Sequence, residues 1–305
     1  MQSLYDIPAP AKLNLFLHIV GRRDDGYHLL QSVFMLIDWC DTLHFSIRTD
    51  GLLSREDLRD PLPDDDLCLR AARALQDATG CRLGAHIGIE KTIPAQAGMG
   101  GGSSDAASTL LALNRLWDLR LPLEKLLQIG LKLGADVPFF LAGHNAWVEG
   151  IGEKITPIKL PLTQWMVVKP TKGLETPRIF SDPQLKRDSK PAIISGFAEN
   201  AFSNTENTNG RDIKGSGVFK FGQNDLQAVA QRLCPEISQA LEWLAEKGLN
   251  GRMTGSGSAV FAQALHEIDA TGLPKGAIAR QCSSLEMHPL WGWADSDDFA
   301  VGSLG

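Results

Sequence analysis

Residues suited to handling an anion cluster in one stretch of this 305-residue chain, Lys91 to Ser108, which reads KTIPAQAGMGGGSSDAAS. Gly98, Gly100, Gly101 and Gly102 leave the backbone bare there, free to take positive φ and to approach a ligand closely. Before the run, Ile87 and Ile89 alternate with smaller or more polar residues, as in a half-buried strand. After it, Ala106, Ala107, Leu110, Leu111 and Leu113 recur at helical spacing. The spacing predicts a helix starting at Ser103 or Ser104. Its first N–H groups lack partners within the helix and sit at the positive end of the macrodipole. Strand, glycines and helix start together predict a phosphate cradle. The plainer reading is a flexible turn with a Ser cap, but ordinary turns need only one or two glycines.

Two other positions carry chemistry. In the alternating strand Ala11–Ile19, Lys12 and Asn14 share a face and can point together into a cleft, although an edge-strand lysine facing water fits the pattern as well. Asp136 lies in GADVPFF. A carboxylate in apolar company is costly unless it is paired or capping, and Asp before Val137-Pro138 is also a good helix N-cap. Lys91, at the end of the strand before the glycines, is placed to meet a phosphate or base, with a solvated lysine as the alternative. Asp105 suits the helix dipole but would repel a bare triphosphate unless it turns away or a cation intervenes. A second glycine turn, Gly251 to Phe261 (GRMTGSGSAVF), is read as closing the cleft from the other side. Two familiar motifs are excluded. Gly102 is not followed by Lys, as a P-loop requires, and the dinucleotide fingerprint lacks its third glycine although Asp118 falls near the place of the ribose acid.

The elements that must hold these residues follow from the pattern. Asp25-Gly26 signals a hairpin leading to strands Leu29–Ile37 and Thr42–Ile47. Residues 48 to 66 read as a loop, Leu67–Ala78 and Leu123–Leu133 as helices, the latter closed by Gly134. A strand near residues 163 to 170 opens a second domain, with the boundary between Pro157 and Pro161. Residues 185 to 220 are polar and aperiodic and are expected to form a long loop. Helices Leu226–Leu233 and Ile237–Lys247 follow. The division expected is 1–160, 161–290 and a disordered tail at 291–305. A net charge of −6 argues against a nucleic-acid surface, and 43% hydrophobic residues suffice for one large or two medium domains. No apolar run reaches membrane-spanning length, and MQSLYDIPAP lacks a secretory pattern. Five scattered cysteines without CxxC spacing point to a reduced, cytoplasmic protein without zinc.

PAQAGMGGGSSDAA resembles the second signature of the kinases that phosphorylate galactose, homoserine, mevalonate and phosphomevalonate, the GHMP kinases. PAKLNLFLHIVGRRDDGYHLL and GRMTGSGSAVF are most similar to those acting on 4-diphosphocytidyl-2-C-methyl-D-erythritol, with Met99 where these usually carry Leu. The resemblance implies an α+β sandwich of the GHMP-kinase fold, with the active site in the cleft between two domains. The N-terminal one would be ribosomal-protein-S5-like and bind ATP. It implies Lys12 and Asp136 as catalytic residues. Lys91, Pro94, Ala95, Gln96, Ala97, Gly98, Met99, Gly100, Gly101, Gly102, Ser103 and Ser104 would bind ATP. Asn14, Tyr27, His28, Asp136, Thr176 and Phe180 would bind the cytidyl substrate, with His28 bonding the base and Phe180 stacking on it. Asp66 stands where the family often has Asn near the adenine. ATP with Mg2+ is the implied co-substrate, with Ser104 as a contact for the ion and no dedicated carboxylate ligand. The implied reaction transfers phosphate to the substrate's 2-hydroxyl in the non-mevalonate isoprenoid route, by a monomer or homodimer acting on a small molecule. The rivals are another small-alcohol kinase of the same family and a nucleotide sensor without turnover.

Overall fold

The computed structural model describes residues 2–202, 205–206, 212–213 and 221–294. Strands β1 (Ser3–Arg22) and β2 (His28–Arg48) form a long antiparallel pair around the turn at Gly26, and the register sets Lys12 opposite Leu36 and Asn14 opposite Phe34. The two strands expected at Leu29–Ile37 and Thr42–Ile47 are one continuous strand, because β1 runs alongside both halves as a single partner. β3 (Leu53–Asp57), α1 (Leu67–Thr79) and β4 (Gly84–Glu90) come next. Asp66 caps α1 by accepting from the Leu69 N–H at 2.9 Å, and Gly80 ends it in the left-handed conformation.

Helix α2 (Gly101–Leu116) begins earlier than the apolar spacing predicts, because Gly100 turns the chain into it with φ +72°. It is buried on every side from Ser104 to Asn114, so this helix is the centre of the first core. α3 (Leu123–Leu133), α4 (Val137–Ala142), β5 (Ala146–Gly150) and β6 (Lys154–Pro157) complete this half. The sheet order is β3-β4-β2-β5-β6, with β1 on the other edge of β2; β4 pairs with residues 42–48 of β2 and β5 with residues 30–34. The four helices bury Leu110, Leu113 and Phe139 against Leu36, Phe45 and Ile87 of the sheet.

β7 (Gln164–Lys169) begins a second sheet after the expected boundary region, followed by α5 (Thr176–Phe180) and α6 (Ile194–Phe202). The two-residue strands β8 (Thr205–Glu206) and β9 (Asp212–Ile213) pair with each other. α7 (Gln227–Leu233), α8 (Glu236–Glu246), β10 (Arg252–Met253), β11 (Val260–Gln263) and β12 (Ile278–Ser283) close the fold. The order is β10-β11-β7-β12, antiparallel throughout.

The loop expected over 185–220 is corrected by α6, which forms because Phe197 buries its ring against Phe16 and Trp147. The rest of that expectation, apart from β8 and β9, lies outside the described residues. The expected tail is corrected at its start: Trp291 meets the ring of His144, Arg115 lies over Trp293 at 4.6 Å, and Ala294 is buried. Residues beyond Ala294 lie outside the description. Backbone bonds from Leu285 to Leu36 and from His288 to Gly143 return this segment to the first half.

The two halves meet along the outer edge of β1. Leu17 exchanges backbone bonds with Gln223 and Asp225, and the Asp225 carboxylate accepts from the Ile19 N–H at 2.8 Å. A strand with its edge sealed this way can bury both faces, which is why Lys12 and Asn14 are 4% and 1% exposed. The reading of Lys12 as a solvated edge lysine is thereby excluded.

Candidate active site

Both glycine turns face one cleft of about 730 Å³. They touch backbone to backbone. A Cβ on Gly98 would lie 2.2 Å from the Thr254 carbonyl, and one on Gly255 would lie 2.6 Å from the Gly98 carbonyl. Ser258 and Ala259 donate to the Gln96 and Ala97 carbonyls, so the second turn pins the start of the first. The first turn is also tied to β1, whose Lys12 N–H bonds the Met99 carbonyl at 3.0 Å. At Gly100 no side chain fits: a Cβ would sit 2.9 Å from Phe140 and 3.3 Å from Lys12 Cε, at a positive φ. Gly102 has only Leu67 Cδ1, at 3.3 Å, in the way of a Cβ. No side chain caps the start of α2, so its leading N–H groups are open to an anion.

The Lys12 ammonium lies at the junction of loop and strand. It donates to Asn14 Oδ1, lies 3.6 Å from the Asp136 carboxylate and stands over the Phe34 ring at 4.6 Å. Burial pushes its pKa down, and the charge and hydrogen bond of Asp136 pull it partly back. Asn14 is itself held, donating through Nδ2 to Ser32 at 2.9 Å while its N–H bonds Thr254 Oγ1. Asp136 occupies the N-cap position of α4, yet its side chain makes no capping bond. The sequence reading of Asp136 as a cap is corrected here, because its φ of −85° and ψ of −15° are helical rather than extended. The carboxylate, 31% exposed, is left to Lys12 and the cleft.

Lys91 bonds two carboxylates at once, Asp41 and Asp105. Asp41 also accepts from the Thr92 and Ile93 N–H groups. Burial would lower the pKa of Lys91, but Asp105 and Asp41 outweigh it and hold the ammonium above its usual value. Burial pushes the Asp105 carboxyl up to about 8 against the pull of Lys91. The Lys91 ammonium thus offsets the negative charge that Asp105 would otherwise set against a phosphate. Asp41 was not singled out from sequence, where it falls in the gap between the strands expected at Leu29–Ile37 and Thr42–Ile47.

Of the residues expected to bind ATP, Lys91, Pro94 to Gly102 and Ser103 all line the cleft. Ser104 does not; it is fully buried one residue further into α2, and its hydroxyl has no hydrogen-bond partner. Asp66 lines the cleft while capping α1 and pairing with Arg55 at 3.1 Å. Asp118 pairs with Arg120 on the surface, in keeping with the rejected dinucleotide reading.

Of the residues expected to hold the cytidyl group, Asn14, Asp136, Thr176 and Phe180 line the cleft. Thr176 shares a 2.7 Å hydrogen bond with Ser256 of the second glycine turn. Tyr27 and His28 lie outside the lining, and Tyr27 is 61% exposed. In the hairpin turn the Asp25 carboxylate accepts from the Tyr27 N–H at 3.2 Å. His28 reaches the site through Phe180, with ring centroids 5.0 Å apart and planes 33° from parallel. That spacing leaves no slot between the rings, so a base would lie on the cleft side of Phe180. Arg187, unforeseen in a polar and aperiodic stretch, donates to His28 Nε2 at 3.0 Å.

Residues 66–144 match the model of the GHMP kinases N terminal domain, and residues 200–271 that of the GHMP kinases C terminal domain. A 4-diphosphocytidyl-2-C-methyl-D-erythritol kinase of Albidiferax ferrireducens is 69% identical over 303 residues, 99% of this chain and all of that protein. A crystal structure of 4-(cytidine 5'-diphospho)-2C-methyl-D-erythritol kinase superposes with a TM-score of 0.71 at 31% identity, covering 93% of this chain and 99% of the other. The homoserine kinase of Cytophaga hutchinsonii shares the fold, with a TM-score of 0.65 at 14% identity over 94% and 96% of the two chains.

Proposed function

This chain belongs to the GHMP kinases, and within them to the 4-diphosphocytidyl-2-C-methyl-D-erythritol kinases; we propose that it transfers the γ-phosphoryl group of ATP to the 2-hydroxyl of that alcohol in the non-mevalonate route to isoprenoid precursors. The observation that carries the reading is the pairing of Lys12 with Asp136 at 3.6 Å in the cleft that the glycine turn also lines.

ATP phosphates rest on the Gly98–Ser103 backbone and the open start of α2. The acceptor hydroxyl lies beside Asp136, which takes its proton as the oxygen attacks. Lys12, held by Asn14 and desolvated, offsets charge on the reacting oxygens. Phosphoryl transfer needs little else from a protein beyond positioning and electrostatics. Phe180 covers a face of the cytosine, the His28 ring backs Phe180 from outside the cleft lining, and Thr176 bonds Ser256 of the second glycine turn.

Magnesium accompanies ATP in this reading. Such an ion is carried largely by phosphate oxygens and waters, with one or two protein oxygens. Ser104 Oγ, although without a hydrogen-bond partner, is buried off the cleft lining and does not fit that role; the ion would neutralise phosphate charge. Among the described residues no helix is long and apolar enough to cross a membrane, and the five cysteines are free, which supports a cytoplasmic setting.

A coupled assay of ADP release over a panel of 4-diphosphocytidyl-2-C-methyl-D-erythritol, homoserine and mevalonate tests the reading. Turnover of the cytidyl substrate alone supports it; preference for either small alcohol overturns the substrate, and no turnover of any overturns the kinase.

A further inference from the structure

Lys12 is one half of the reacting pair, and the residue that holds it, Asn14, is itself held by Ser32. All three line the cleft, and Ser32, on β2, is 2% exposed. β1 slips register against β2 between Asn14 and Leu17, and within that slip the Phe16 carbonyl accepts the hydrogen of the Ser32 hydroxyl at 2.5 Å. A hydroxyl has one hydrogen to give. With it committed to Phe16, Ser32 Oγ meets Asn14 as an acceptor only, and Asn14 Nδ2 donates to it at 2.9 Å. Oδ1 then lies at the other end of the carboxamide, where the Lys12 ammonium donates to it. Thr254 Oγ1, 3.4 Å from Oδ1, can donate or accept and so tolerates either orientation of the amide.

We propose that Ser32 is a positioning residue that locks the Asn14 carboxamide with its oxygen on Lys12, and so holds the Lys12 ammonium on the reacting group. The inference rests on the reading of Lys12 and Asp136 as the catalytic pair. An ammonium has donors only, and a carboxamide turned over would set its NH2 group against it. Lys12 by itself favours the same orientation. Removing the Ser32 oxygen, however, leaves a buried Nδ2 without its acceptor, at a cost of the same order as the Lys12 bond. The amide then rotates to recover a partner for Nδ2. The ammonium is left with Asp136 and the Phe34 ring and is no longer pinned.

Lys12 is the member of this network that titrates. Burial lowers its pKa, and the carboxylate of Asp136, at the start of α4, raises it again. Its other neighbours, the Phe34 ring of β2 and the Asn14 amide of β1, are uncharged. Withdrawing an acceptor from a buried ammonium makes its proton easier to lose, so the lock also widens the pH range over which Lys12 is charged.

The test uses the full-length enzyme with ATP and the cytidyl alcohol. Ser32→Ala is expected to lower kcat by about tenfold, the worth of one hydrogen bond, with KM for ATP within about threefold of wild type. The alkaline limb of kcat/KM should move toward neutrality. Ser32→Thr keeps the hydroxyl and is expected to restore both the rate and the limb. A folded Ser32→Ala enzyme with wild-type kcat and limb overturns the proposal, whether or not its Tm falls, because the hydroxyl is then merely structural. A loss shared equally by Ser32→Ala and Ser32→Thr overturns it too, since it marks a packing role. If Ser32→Ala does not fold, neutron diffraction from wild-type crystals in D2O reads the lock directly. Deuterons are expected between Asn14 Nδ2 and Ser32 Oγ, and between Ser32 Oγ and the Phe16 carbonyl. Nitrogen on the Lys12 side of the amide, or a Ser32 deuteron pointing at Asn14, overturns the proposal without any variant. Absence of wild-type turnover sinks the kinase reading instead, while the neutron map still judges Ser32.

Discussion

Replacing Asp136 by Asn separates catalysis from architecture at this site. The carboxylate makes no capping bond, is 31% exposed and, among the described residues, pairs with Lys12 at 3.6 Å. Lys12 is buried, so losing its charged partner costs about 1–3 kcal/mol of stability. Lys12 keeps its bond to Asn14, so the cleft should hold its shape. A positioned base is worth roughly two to four orders of magnitude in rate, or about 2.7–5.4 kcal/mol at 1.36 kcal/mol per tenfold. We expect Asp136→Asn to lower kcat by that range while KM for ATP moves less than about threefold. The pH profile adds a second reading. Asp136 favours the Lys12 ammonium, so its removal lets the proton leave at lower pH. The alkaline limb of kcat/KM should therefore move toward neutrality. Steady-state kinetics from pH 6 to 10 with thermal unfolding alongside would measure both. A kcat within about tenfold of wild type would refute the base assignment, and a large drop in Tm would mean that the carboxylate is structural after all.

Gly102→Val places its side chain where only the flexible Leu67 tip interferes, so calorimetry should show ATP binding at least about tenfold weaker with Tm little changed; unchanged binding would misplace the phosphate cradle. Gly100→Val is a poorer probe, since its Cβ strikes Phe140 and Lys12 and would disturb folding too. Phe180→Ala should raise KM for the cytidyl substrate by roughly 5- to 150-fold, from about 1–3 kcal/mol of base stacking, with KM for ATP unaffected; a rise for ATP alone would put Phe180 in the adenine pocket. Lys91→Met strands Asp41 and Asp105, which are 0% and 4% exposed, and should cost about 3–5 kcal/mol in urea unfolding; a loss under about 1 kcal/mol would show that Lys91 serves the ligand and not the fold.

Much of this protein was legible in its sequence because the relevant physics is local. Bare glycines between an alternating strand and a helical repeat let the backbone approach a ligand closely, and Gly98 to Ser103 line the cleft. Asp25-Gly26 and Gly134 turn or end their elements through neighbours a few residues away. Other readings depended on which surfaces meet. The alternation of Lys12 and Asn14 fits an exposed edge as well as a buried one, until Gln223 and Asp225 seal that edge from more than two hundred residues away. Asp136 looks like a cap by its neighbours; only the helical backbone at that residue releases its side chain to Lys12. Ser104 follows Ser103 in the motif, yet one step of about 100° along a helix with 3.6 residues per turn separates a cleft-lining residue from a buried one. Arg187 had no signal at all, because its partners are carbonyls and a histidine that only the folded chain brings within reach. The sequence by itself determined the chemistry available and the turns that present it. Tertiary structure decided which charges were buried together, since burial and pairing are properties of surfaces in contact and not of neighbours along the chain.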